Sequence, residues 1–286
     1  MLLHGRVIAD KIKEDLKKKF IKYFPNNDKY LAILFFWDNA SSKIYVKHKQ
    51  KYWSDIWLKT IIYWQDDWKK WNKEEIIGLI NNLNNDESCV WIIVQLPLPD
   101  DLKHLKNEII SAIDSAKDVD GLWGTMVWKS FFDMVSFCPA TPKAVMTLLD
   151  YYNLWEIRNK KVAIIWQSTI VWKPLAIECL KRWAQIACFD INNTVEEIKD
   201  YCKTADYIFS ATWHIYLIDE TFVSDKKNQI IVDIGYGHKD GKPVGDVDTK
   251  KIEDKVLHIT PVPWGVGPLT IASLFSNIFD LWEQFH

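Results

Sequence analysis

The chain has 286 residues, 48% of them hydrophobic and 26% charged, an ordinary balance for a globular protein. At roughly 100–200 residues per domain, that length suggests two domains or one large one. Lys and Arg number 36 against 38 Asp and Glu, a net charge of −2, which argues against a broad nucleic-acid footprint. No apolar run reaches the ~18–20 residues of a membrane span. Met1-Leu2-Leu3-His4-Gly5-Arg6 lacks the basic and apolar regions of a secretory signal. The five cysteines (89, 138, 179, 188 and 202) are odd in number and show no C-x-x-C spacing. A reduced, cytoplasmic setting is the simplest expectation.

Val7, Ile8, Ile12, Leu16 and Phe20 fall at helical spacing, with interleaved lysines as a solvated face. Residues 31–36 read as a buried strand and residues 41–53 as a helix, with Ser41 or Ser42 as N-cap. A strand at 60–63, a helix at 73–83 and a strand at 90–95 follow. Pro139 and Pro142 flank a break. Beyond it come a helix at 143–151, a strand at 161–165, a helix ending near Leu180, a strand at 184–189 and a helix at 195–202. Strands at 207–211 and 230–233 and a final helix at 270–285 complete the pattern. Alternating strands and helices predict an α/β protein with two domains. Residues 1–138, completed by the helix at 270–286, form the first. Residues 139–269 form a Rossmann-like, doubly wound parallel-sheet domain.

Several residues stand where such folds place chemistry. Ser42, Tyr45 and Lys49 fall at i, i+3 and i+7, on one face of a helix. A lysine beside a tyrosine can shuttle protons, although a packed tyrosine with a snorkelling lysine gives the same pattern. Gln95 follows a strand, and Asp118 and Asp120 precede Gly121; ligands bind at such strand ends. In the second half, the turn after the strand at 161–165 is where a pyrophosphate would meet a helix N-terminus. Asp190, at the end of the next strand, could accept from a ribose 2′-OH. A solvated strand end is the alternative reading.

Four segments together resemble the bifunctional methylenetetrahydrofolate dehydrogenase/cyclohydrolase family. They are Ser42-Lys-Ile-Tyr45-Val-Lys-His-Lys49, Val94-Gln95-Leu-Pro-Leu-Pro99, Lys117-Asp-Val-Asp120-Gly121 and Thr260-Pro-Val-Pro263-Trp-Gly-Val-Gly-Pro268-Leu-Thr270. The resemblance runs from about Leu3 to Phe279. It implies a cytoplasmic homodimer with a folate cleft between two domains and no metal. It also implies oxidation of 5,10-methylenetetrahydrofolate with NADP or NAD, then hydrolysis to 10-formyltetrahydrofolate. Lys49 would be the general acid/base, held by Gln95. Tyr45 would orient the folate, with Ser42 supporting it, and Asp120 would bind the pterin edge. Pro263, Gly265, Gly267 and Pro268 would belong to a loop over the substrate. Trp166, Gln167 and Ser168 would lie at the pyrophosphate turn, Asp190 and Ile191 near the ribose, and Tyr236 against the cofactor. An inactive scaffold of this family, or a Rossmann dehydrogenase for another small metabolite, are the alternatives.

Some positions depart from the family pattern. The turn usually reads Gly-Arg-Ser, and Gln167 replaces the arginine; Asp190-Ile191 replaces His-Ser. One cation is lost and one anion gained near the 2′ position, which favours NAD over NADP. Ala140 replaces a cysteine and Met126 an asparagine. There are also 16 Trp and 10 Gly, where about 20 glycines would be usual. At nine family glycine positions (37, 57, 91, 128, 166, 172, 183, 213 and 264) the chain has Trp. Indole cannot substitute where φ is positive or backbone approaches closely. With overpacking at about 1–3 kcal/mol per site, the literal sequence is expected not to fold into a working enzyme. Some bacteria read UGA as glycine. Translating UGA as tryptophan would produce this pattern.

Overall fold

A computed structural model describes residues 1–26, 28–36, 52–53, 55–56, 58–64, 71–121, 124–135, 137–166 and 172–285. The chain divides into two compact units, Ile12–Pro139 with Leu274–His286, and Met1–Lys11 with Ala140–Ser273.

The elements of the first unit are α1 (Arg6–Tyr23, shared with the second), β1 (Tyr30–Phe35), β2 (Lys59–Trp64), α2 (Lys73–Asn85), β3 (Cys89–Val94), α3 (Lys106–Ser111) and α4 (Gly124–Phe131). Its sheet is parallel, in order β2-β1-β3. Both β1 and β3 are buried along their whole length, as parallel strands covered on two faces must be. Tyr30, Ala32, Leu34 and Phe36 share one face and pack on Ile76, Ile80 and Leu83 of α2. Asn72 caps α2 in a capping box with Glu75, a device worth about 1 kcal/mol. The predicted helix at 41–53 lies almost wholly outside the described residues; Tyr52 and Trp53 are helical.

The second unit contains α5 (Ala140–Tyr151), β4 (Lys161–Trp166), α6 (Trp172–Lys181), β5 (Gln185–Phe189), α7 (Val195–Cys202), β6 (Tyr207–Ala211), β7 (Ile230–Asp233), β8 (Gly237–Lys239), β9 (Lys242–Val244), α8 (Thr249–Ile252), β10 (His258–Ile259) and the start of α9 (Val266–Phe285), whose residues from Leu274 belong to the first. Five strands form a parallel sheet in order β5-β4-β6-β7-β10. Counted within the unit this is 2-1-3-4-5, a doubly wound order whose switch point lies between β4 and β6. Ile165, Ile198, Ile208, Ile231 and Ile259 belong to one continuous core.

Some boundaries differ from those read in the sequence. Residues 1–11 belong with the second unit. Leu3 N–H donates to Ile259 O at 2.8 Å and Ile259 N–H to Met1 O at 3.1 Å, so the N-terminus lies beside β10. Helix α5 begins at Ala140, because Pro142 falls in the first turn, where its missing N–H is harmless. Helix α9 likewise starts at Val266 and takes Pro268 into its first turn. The β8–β9 hairpin turns through Asp240 and Gly241, at φ 52° and 72°.

Candidate active site

In the first unit Gln95 stands at the carboxyl end of the sheet. Gln95 directly follows β3. Its backbone N–H donates to Leu34 O at 2.9 Å, which prolongs the parallel ladder. Its side chain is buried, and Nε2 donates to Leu96 O at 2.6 Å. The following Leu96–Pro97 peptide is cis. Asp118 bridges Ile92 in parallel on the other side of β3 from β1. The chain then turns, with Gly121 N–H donating to Asp118 O at 3.2 Å, and Asp120 lies in that turn.

The Asp118–Gly121 turn is fixed from several directions. Asp118 Oδ1 accepts from Gly121 N–H at 3.0 Å. Gly121 has φ 65°, and a Cβ there would lie 2.0 Å from the Phe137 ring, so only glycine fits. Lys117 Nζ donates to the carbonyls of Leu83, Asn84 and Asp86, at 2.9, 2.7 and 3.0 Å. It thereby caps the C-terminus of α2, where cations are favoured. Asn277, fully buried on α9, donates to Val119 O and Cys138 O, both at 3.1 Å. Asn277 did not stand out in the sequence, because its partners lie more than a hundred residues away. Asp120 itself is half-buried. Ser42, Tyr45 and Lys49 lie outside the described residues, as does the expected Gln95–Lys49 contact.

Other chemistries have little support among the described residues. All five cysteines are free thiols. Burial pushes Cys179 and Cys202 up to about 12 and Cys89 up to about 11, far from a reactive thiolate. Among the described residues no group of three or more metal-ligating side chains occurs, and no helix is long and apolar enough to cross a membrane.

In the second unit Trp166 ends β4 opposite Ala211 of β6, at the switch point itself. Gln167 and Ser168 lie outside the described residues. Asp190 follows β5, and its Oδ1 accepts from Asn192 N–H at 2.8 Å. This Asx-turn sets the direction of the loop. Ile191 is exposed. Tyr236 is also exposed, and its hydroxyl lies 3.4 Å from His238 Nε2. The Val262–Pro263 peptide is cis. Gly265 N–H donates to Pro261 O at 2.6 Å, and a Cβ at Gly5 would lie 2.0 Å from Gly265 O. Gly267 and Pro268 form the first turn of α9, and Gly267 has open space around it.

A buried carboxylate pair braces the same sheet end. Asp233 Oδ1 accepts from Gly235 and Asp246 N–H at 3.0 and 3.1 Å, and Oδ2 from Val247 N–H at 3.0 Å. Asp246 Oδ2 accepts from Ser210 Oγ at 2.8 Å and Thr212 N–H at 2.6 Å. Burial, and then the neighbouring Asp246, push the Asp233 carboxyl up to about 8. The pair therefore holds one proton at neutral pH. Gly235 and Gly245 are required there, since a Cβ on either would meet an Asp246 or Asp233 oxygen at 2.1 or 2.0 Å.

A doubly wound parallel sheet beside a smaller α/β unit with polar residues at its strand ends defines the class: a two-domain α/β protein with a Rossmann-like dinucleotide-binding unit. Comparison with known proteins places the chain within that class. Residues 3–120 match the tetrahydrofolate dehydrogenase/cyclohydrolase catalytic domain, and residues 139–286 match the NAD(P)-binding domain of the same family. A bifunctional protein FolD of Mesoplasma florum is 35% identical over 288 residues, covering 99% of this chain and 98% of that protein. One from Campylobacter jejuni is 38% identical over 280 residues, covering 96% of each. The crystal structure of a Campylobacter jejuni FolD methylenetetrahydrofolate dehydrogenase/cyclohydrolase superposes with a TM-score of 0.90, at 36% identity, covering 100% of this chain and 99% of that one. The chain belongs to the tetrahydrofolate dehydrogenase/cyclohydrolase family.

The expected overpacking by tryptophan is corrected at four positions. Trp128, Trp183, Trp213 and Trp264 are 63%, 68%, 57% and 51% exposed, so their indoles project outward and crowd nothing. Trp91 is 1% exposed and fills core space, edge-on to Phe24 at 5.2 Å. The conflict lies instead at the dinucleotide turn. Strand β4 ends at Trp166 and α6 begins at Trp172, and no glycine stands from 166 to 172. A pyrophosphate turn needs glycine so that backbone can reach the phosphates.

Proposed function

We propose that the protein is a bifunctional enzyme of one-carbon metabolism. It oxidises 5,10-methylenetetrahydrofolate to the methenyl form with NAD(P)+ and hydrolyses that product to 10-formyltetrahydrofolate. The observation that carries this reading is the match to both family domains across nearly the whole chain. Gln95 directly after β3, and Asp120 in the turn that follows the Asp118–Ile92 bridge, support it. The Asp120 carboxylate offers two acceptors, the complement of a pterin ring N–H and amino group. In the hydrolysis, water adds to the methenyl carbon and must lose a proton; the ring nitrogen must gain one as its C–N bond breaks. Lys49 would serve as base and then acid, oriented by Gln95, with Tyr45 and Ser42 positioning the folate.

Pro263, Gly265, Gly267 and Pro268 would contact the substrate, and Trp166, Gln167, Ser168, Asp190, Ile191 and Tyr236 mark the cofactor positions. NAD is the expected preference. Gln167 brings no cation for a 2′-phosphate, and Asp190 would repel one. We take the protein to be a cytoplasmic homodimer, on the family resemblance. The experiment is a nicotinamide-reduction assay, on the protein purified from its own cells, with methylenetetrahydrofolate and each dinucleotide. Turnover with a higher kcat/KM for NAD supports the reading. A clear NADP preference refutes the cofactor assignment, and no turnover with either refutes the enzyme.

A further inference from the structure

Three helices end in the same hydrogen-bonded cap. After α4, Met134 N–H donates to Lys129 O and Asp133 N–H to Ser130 O, at 2.9 and 3.1 Å. After α5, Leu154 N–H donates to Leu149 O and Asn153 N–H to Asp150 O, at 2.7 and 3.0 Å. After α6, Ala184 N–H donates to Cys179 O and Trp183 N–H to Leu180 O, at 3.1 and 2.9 Å. Each pair is a Schellman motif, whose C′ residue turns left-handed and is usually glycine, sometimes asparagine. The C′ residues are Asp133, Asn153 and Trp183, at φ 53°, 57° and 60°. Asp and Asn visit this region with local help from their short polar side chains. A tryptophan there is a genuine outlier.

Trp213 repeats the conflict at the carboxyl end of β6, with φ 63°. Its bend is set by its neighbours: Thr212 N–H donates to Asp246 Oδ2 at 2.6 Å, and His214 N–H to Thr212 Oγ1 at 3.1 Å. Among the described residues, eight non-glycines have positive φ; four are Asp or Asn, and the others are Lys227, Tyr216 and these two tryptophans. Both indoles stand mostly in solvent, so no buried packing accounts for the choice of residue. A third conflict is independent of φ. Trp166 and Trp172 bracket the turn that should cradle a pyrophosphate.

We propose that the protein made in its own cells carries glycine at positions 183 and 213, encoded by UGA, and by the same decoding at 166 and 172. The first two assignments stand on backbone conformation alone; the last two rest also on the proposed dinucleotide-dependent function. At Trp91, extended and packed in the core, the backbone makes no such demand. Glycine at 166 and 172 would restore to the segment between β4 and α6 the residue type that a pyrophosphate-binding turn requires.

The test is peptide mass spectrometry of the protein purified from its own cells. Trypsin yields residues 183–199, 204–226 and 162–181, which isolate positions 183 and 213 and hold 166 and 172 together. The first two peptides are expected to be lighter by one tryptophan-to-glycine exchange each, and the third by two. Tryptophan at 183 or 213 overturns the proposal. Tryptophan at 166 or 172 overturns its extension to the phosphate turn. The same sample is assayed for methylenetetrahydrofolate oxidation. Inactivity with glycine present at all four positions counts against the enzymatic reading and leaves the glycine assignment standing.

Discussion

Replacing Trp183 and Trp213 by glycine in the chain as written should stabilise it, although both changes delete large side chains. A left-handed conformation costs an L-residue roughly 1–2 kcal/mol. Glycine gives part of that back through the entropy of its unfolded state, about 0.5–1 kcal/mol. At Trp183 the Arg158 guanidinium lies over the indole at 5.9 Å, the edge of the cation–π range, so about 0.5 kcal/mol more is lost on truncation. The net gain is then centred on about 0.25 kcal/mol at 183 and about 0.75 kcal/mol at 213, adding where the sites share no partner. With an unfolding entropy of about 2.1 cal/mol/K per residue, the double variant should melt roughly 2 °C higher, and at most about 4 °C. Trp128→Gly supplies the opposite sign. Trp128 lies inside α4 and packs on Phe131 and Phe132, at 6.0 and 4.8 Å. Glycine there loses those contacts and about 0.5 kcal/mol of helix propensity. Scanning calorimetry of the three variants reads the signs directly. Destabilisation by both Trp183→Gly and Trp213→Gly would refute the reasoning from φ.

The remaining predictions concern the carboxylate pair, the folate turn and the proposed base. Asp233 is raised from 3.8 to about 8, so the native state holds a proton that the unfolded chain releases. That contribution is full below about pH 4 and fades as pH rises through about 8, with a slope of up to about 1.4 kcal/mol per pH unit. Asp246→Asn removes the charge facing Asp233, and should flatten the fall in melting temperature between about pH 4 and pH 8; an unchanged slope refutes the coupling of the pair. Asn277→Ala leaves two buried carbonyls unpaired and should destabilise by about 2–4 kcal/mol. It should also raise the folate KM more than it lowers kcat, and wild-type melting and KM would refute the role in holding the Asp118–Gly121 turn. Lys49→Ala should abolish cyclohydrolase activity while folate binding, read by calorimetry, persists; normal ring opening would remove Lys49 from the mechanism.

The parallel strands were legible because burial on both faces leaves them as short apolar runs, as in Leu31–Phe36 and Val90–Val94. Gln95 and Asp120 were legible because they sit in local motifs at strand ends. What the sequence hid depends on contacts distant along the chain. The Asp233–Asp246 pair forms only when β7 and the segment after β9 come together. Asn277 acts on carbonyls of residues 119 and 138. The N-terminal residues join β10, at the far end of the chain. The β8–β9 hairpin is a different case. Its Asp240-Gly241 pair is a local turn signal, but the strands it joins have three residues each, too short to show an alternation. The tryptophan positions were visible as a compositional anomaly. Only the backbone separated Trp183 and Trp213, held left-handed, from Trp91, which is packed in the core on β3.

The most direct test of the central claim follows both reactions in one sample of the protein from its own cells. Methylenetetrahydrofolate and NAD are added, and nicotinamide reduction is recorded together with the rise and decay of the methenyl intermediate. The account predicts dinucleotide reduction that depends on the folate, then conversion of the intermediate to 10-formyltetrahydrofolate faster than in buffer alone. A folded protein that binds folate yet performs neither step, with either dinucleotide, would contradict it.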